Sequence, residues 1–173
     1  MLQRRVTETA ASSVGTGSLT NVSVYKKRDH LEEYRYFASQ GIEYMGGRGP
    51  HAADLVGAAS KRILDWLPPP QSLTGRFVDV GCGDGSLLKL VDDEDAASGF
   101  SAWELYGVLP TQEERNLLRH HLTREGYENI TVFQGQAQDL SFLPDDFASV
   151  VILNGVLQLL EREEAWKALS EIA

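Results

Sequence analysis

Cysteine is nearly missing from this chain. A single residue, Cys82, stands among 173, which excludes an internal disulfide framework and a cysteine-built zinc site. No apolar run reaches the roughly 18 residues that a membrane-spanning helix needs. The N-terminal MLQRRVTETAASS also lacks the apolar core of a secretory signal. A reducing cytoplasm is therefore the expected compartment, with no membrane partner. Basic charge is scarce, with 16 Lys and Arg against 25 Asp and Glu, a net −9. It is also uneven: +4 before Asp29 and −13 from there on. An acidic body repels phosphate backbones, so nucleic acid is not expected as the main partner. Histidine is sparse too. His120 and His121 are adjacent, point about 100° apart on a helix and cannot chelate one metal by themselves. The acidic run Asp92–Asp95 lacks the alternating ligands and turn glycine of a calcium loop. No metal site is expected.

What remains is an ordinary globular composition, 42% hydrophobic and 24% charged, at the length of one domain. Residues 1–28 read as a flexible Ser/Thr-rich tail. Residues 29–75 read as an N-terminal helical segment. Asp29 and Glu32 are placed for a capping box, Leu31, Tyr34 and Phe37 share a face, and Gly41 is a stop. GGRGP at 46–50 is a break. Leu55, Ala59, Ile63 and Trp66 or Leu67 then keep helical spacing up to Pro68-Pro69-Pro70. The aromatics Tyr34, Tyr36 and Phe37 suit either a core face or a lid.

From residue 76 strands alternate with helices. RFVDV reads as a buried strand, SLLKLV as a short helix, DDEDAASG as a loop and SAWELYGV as the next strand. Thr111 and Glu114 form a capping box for a helix that Gly126 closes, with Leu117, Leu118 and Leu122 apolar. NITVFQG is a third strand. FASVVILNG is a fourth, β-branched and continuous as in strands covered on both faces, and EREEAWKALSEIA is helical. The pattern predicts an α/β doubly wound, mainly parallel sheet.

The chemistry-bearing stretch is Phe77-Val78-Asp79-Val80-Gly81-Cys82-Gly83-Asp84-Gly85. Ligands of open α/β sheets sit beyond the carboxyl ends of the strands, where glycines let the backbone turn and approach them. A dinucleotide turn needs Gly-x-Gly-x-x-Gly or Ala, and here the third position is Ser86. Asp79, two residues before the first glycine, is awkward for a pyrophosphate but suits a ligand carrying an ammonium or sulfonium charge.

FVDVGCGDG resembles the first motif of the class I S-adenosylmethionine-dependent methyltransferases. YGVLPTQEE is similar to that family's second-strand segment, GQAQDLSF to its adenine-binding segment and FASVVILNGVLQLL to its fourth strand and exit. The spelling around 107–142 is nearest to the small-molecule and cyclopropane-synthase-like branches. The resemblance implies a Rossmann-like core over 76–173, S-adenosylmethionine as cofactor and methyl transfer to a small molecule. It implies that Asp79, Gly81, Cys82 and Gly83 line the methionine and ribose side. It places Leu109 where the family commonly has the acid that holds the ribose, which leaves Glu114 as a substitute or as a capping residue. Gln136 and the backbone of Ala137 fall near the adenine, and Asn154 with Gly155 near the transferable methyl. The exit, NGVLQLL, offers no general base. The family's fifth to seventh strands have no counterpart here. The expectation is an incomplete core, from a fragment or from a short protein whose sheet edge a second copy or a different chain covers. That gap also favours the alternative of a non-catalytic, methyltransferase-like binding or regulatory subunit.

Overall fold

The computed structural model describes residues 30–41, 52–67, 75–99 and 103–173. The tail, the Asp29 cap, the 46–50 break and the three prolines lie outside these residues, as do the side chains of Tyr34 and Leu55. The elements are α1 (His30–Ser39), α2 (Ala52–Trp66), β1 (Gly75–Val80), α3 (Ser86–Ser98), β2 (Trp103–Leu109), α4 (Gln112–Glu125), β3 (Ile130–Gln134), β4 (Val150–Ile152) and α5 (Arg162–Glu171). A single 3-10 turn, Leu157–Leu159, precedes α5.

The four strands form one sheet in the order β3-β2-β1-β4, and every pairing is parallel. The chain winds outward from β1 to β2 to β3, then returns to the other side of β1. That reversal puts a switch point between the carboxyl ends of β1 and β4, the usual crevice for a ligand in such sheets. Period-two alternation splits the core. Phe77, Leu105, Leu109, Ile130 and Val132 pack with Leu87, Leu88 and Val91 of α3 and Leu118 and Leu122 of α4. Val78, Val80 and Val108 face the opposite way, onto Ala137, Leu140 and Ala168 of α5.

Three local expectations need correction. The acidic stretch after SLLKLV is not a loop, because α3 continues through it to Ser98. Asp95 is buried there, its carboxylate accepting the backbone N–H of Trp103 at 3.0 Å, so an acidic side chain ties the helix to the first residue of β2. At the end of α2 the choice between Trp66 and Leu67 falls to Leu67, which packs on the core while Trp66 is 82% exposed. Finally, β4 is half-buried rather than covered on both faces. Among the described residues it is one of the sheet's two edges, paired only with β1.

Candidate functional site at the glycine turn

Three glycines of the turn after β1 take left-handed backbone angles: φ is 76° at Gly81, 56° at Gly83 and 72° at Gly85. L-residues pay for that region and glycine does not, so the spacing in the sequence is a conformational requirement. The N–H of Gly81 donates to the Val108 carbonyl at 2.8 Å, and that of Cys82 to the same oxygen at 3.3 Å. The turn is thereby sewn to the end of β2. Asp84 closes it, accepting the Ser86 N–H at 3.1 Å and the Ser86 hydroxyl at 2.6 Å. α3 starts from that bonded pair.

Asp79 lies at the centre. In the sheet it sits between Gly107 of β2 and Ile152 of β4, and it is 4% exposed. Among the described residues no hydrogen-bond donor or cation compensates its carboxylate. Burial first, and the Asp84 charge second, push it up to about 7. A buried carboxylate without a partner is costly in the charged form, so this position lacks a positive group.

Cys82 stands between the first two glycines of the turn. It is buried, and burial followed by the Asp79 charge pushes its thiol well above the ordinary range, so it is no thiolate nucleophile. Its sulfur packs on Gly107, where an added Cβ would come within 2.7 Å of Sγ and 3.0 Å of Leu88 Cδ1. Gly107 escaped the sequence reading, although a lone glycine inside a strand is a signal of close approach. Val156 escaped it as well. It lies just past the β4 exit and would meet a Cβ placed on Gly81, so the exit packs directly on the turn. No sequence pattern announces such a contact.

The other expected positions gather around the same ends of the sheet with different exposures. Leu109 is 3% exposed within the apolar cluster of α3 and α4, while its carbonyl accepts the Gly135 N–H at 2.9 Å. Thr111 caps α4, its Oγ1 accepting the backbone N–H of Glu114 at 3.2 Å. The Glu114 carboxylate accepts the Thr111 hydroxyl at 2.7 Å, where a full capping box would use the Thr111 backbone N–H. Gln136 is exposed and Ala137 buried; the Gln136 side chain accepts from Gln138 at 2.9 Å. Asn154 is exposed, and Gly155 has φ 76°. Of the three aromatics of α1, Tyr36 is 62% exposed and Phe37 half-buried in edge contact with it.

A parallel sheet ordered 3-2-1-4, with a glycine turn and a buried acid at its switch point, defines a Rossmann-like fold. Comparison with known proteins gives the family. Residues 77–173 match the model of the methyltransferase domain, and the chain belongs to that family. No curated protein sequence matches significantly. Among solved structures it is similar to a Methanococcus maripaludis protein described as S-adenosyl-L-methionine-dependent methyltransferase-like, at 14% identity and TM-score 0.51, covering 90% of this chain and 63% of that one. It is similar to the [4+2]-cyclase SpnF, at 20% identity and TM-score 0.56, covering 82% and 53%. It is also similar to Haemonchus contortus phosphoethanolamine N-methyltransferase 2, solved with S-adenosyl-L-methionine, at 16% identity and TM-score 0.52, covering 85% and 33%. The chain thus spans under two-thirds of the length of each of these proteins.

Proposed function

We propose that this chain binds S-adenosylmethionine at the glycine turn and serves methyl transfer to a small-molecule acceptor. The observation that carries the reading is Asp79, a buried acid with no cation beside it among the described residues, at the switch point next to a turn of left-handed glycines. The residues fit such a cofactor. Asp79 would pair with the positive charge of its methionine portion, and Gly81, Cys82 and Gly83 would lie along the methionine and ribose with no bulky side chain between. Gln136 and Ala137 would take the adenine, and Asn154 would face the methyl. Leu109 supplies an apolar wall in place of a ribose acceptor. When bound, the cofactor supplies a methyl group already activated on a sulfonium. The protein's share is then to orient an acceptor in line and keep water out. The β4 exit brings Asn154, Val156 and Gln158 and no base, which suits an acceptor that needs no proton removed by the protein. Incubation with methyl-labelled cofactor and mixtures of small amines, thiols and phenols should place label in one small-molecule class. Label recovered only in added protein would move the acceptor assignment.

A second reading, a methyltransferase-like binding or regulatory subunit, rests on the β4 edge and on the missing base. The likeness to a cyclase shows that this fold does not by itself dictate methyl transfer. Cofactor binding without transfer to any acceptor, together with a stable complex with a second chain, would favour it.

A further inference from the structure

We propose that ligand binding at the glycine turn is coupled to release of a proton from the Asp79 carboxyl, so that a cationic ligand binds more tightly as the solution goes from acid to neutral. This deepens the cofactor reading above and rests on it. The geometry that carries it is the isolation of one carboxyl. Asp79 is 4% exposed, and its strand neighbours, Gly107 and Ile152, bring no polar or charged side chain. The turn itself brings a second acid, Asp84, held in place by Ser86. Two acids in one turn, one of them buried, disfavour both being ionised.

Glu114 of α4, whose carboxyl burial also pushes up, is the other acid that can release a proton near the turn, and the Asp79→Asn variant tells the two apart. Asp84 is the charged group acting on Asp79. The Cys82 thiol feels Asp79 and Asp84 from the turn and Glu114 from α4, and it stays protonated because all three charges and its burial push it up. In the free protein the Asp79 carboxyl therefore holds its proton up to about neutral pH. An ammonium or sulfonium brought against it favours the carboxylate, and the proton leaves to solvent as the ligand enters. The protein thus reads the charge of its ligand, because a neutral analogue gains nothing from the ionised acid.

The test is calorimetric titration of the full chain with S-adenosylmethionine in buffers of differing ionisation enthalpy, between about pH 5.5 and 7.5. The slope is read up to about pH 7, where the ligand's own α-amino group, titrating at about pH 8, is still about nine-tenths charged. Linkage predicts release of about one proton per ligand at the acid end, falling towards zero above neutral, with affinity rising about twentyfold across the window. Asp79→Asn should bind more weakly, release no proton and lose the slope. Should Asp79→Asn not fold, the proton count of the unmodified chain decides alone. Tight binding with no proton release and a flat pH profile overturns the coupling while leaving the cofactor reading intact. Absence of binding at every pH in a folded protein overturns both.

Discussion

At the residue scale, Asp79 and Gly107 are a matched pair of constraints on one spot. The acid is buried with no cation beside it among the described residues, and the folded protein carries the cost of ionising it. Folding raises its pKa from 3.8 to about 7, so below about pH 4 neither state is ionised and the penalty vanishes. Between those values the folded state holds a proton that the unfolded state has lost, so stability falls as pH rises, by about 4 kcal/mol above neutral. Asp79→Asn should recover about 2–4 kcal/mol at pH 8 and almost nothing at pH 4, read from urea midpoints. A variant equally destabilised at both values would mean that the carboxyl is needed for packing. Gly107 makes the opposite demand, for empty space. Gly107→Ala should cost about 1–3 kcal/mol by pressing Cβ on Cys82 and Leu88. Adding Cys82→Ala should return part of that, a coupling of about 1 kcal/mol in a double-mutant cycle. Additive losses would show that the sulfur is not what Gly107 makes room for. Gly81→Val, the obvious disruption of the turn, is a poorer probe because its side chain meets Val156 as well as any ligand.

At the scale of elements, what the sequence made legible is what local rules control. The capping threonine and closing glycine of α4, the left-handed glycines of the turn and the alternation of β2 were all readable because short-range physics sets them. The rest depends on contacts between distant segments. Asp92 to Asp95 look like a loop because a run of acids has no apolar period. The run is helical, and Asp95 ties it to β2 by accepting the Trp103 N–H eight residues away. Asp95→Leu should strand that donor and cost about 1–3 kcal/mol, whereas Asp95→Asn keeps an acceptor and most of the stability. Equal losses for both, in thermal or urea melts, would mean that the hydrogen bond is not the tie. The fourth strand reads as fully buried from its β-branched spelling, but burial is set by what lies alongside, and β4 pairs on one side only among the described residues. α5 is fastened by a long-range bond of the same kind. Glu171 accepts the Leu140 N–H at 2.7 Å, while Trp166 on the same helix is 62% exposed.

At the scale of the whole molecule, the strand order and the position of the turn converge on one crevice, and the account stands or falls with what enters it. Among the described residues no helix is long and apolar enough to cross a membrane, and no three His, Cys, Asp or Glu side chains gather to hold a metal. The glycine turn is the feature that combines a buried acid, open backbone and a switch-point location. The most direct measurement is an amide NMR titration of the full chain with S-adenosylmethionine and with its demethylated product. The account predicts saturable shifts centred on Asp79, Gly81, Cys82 and Gly83, with a second group at Gln136, Ala137 and Asn154. It further predicts the loss of both groups in Asp79→Asn at the same ligand concentration. An unchanged spectrum in a folded protein, or shifts confined to the amino ends of the strands, would contradict it.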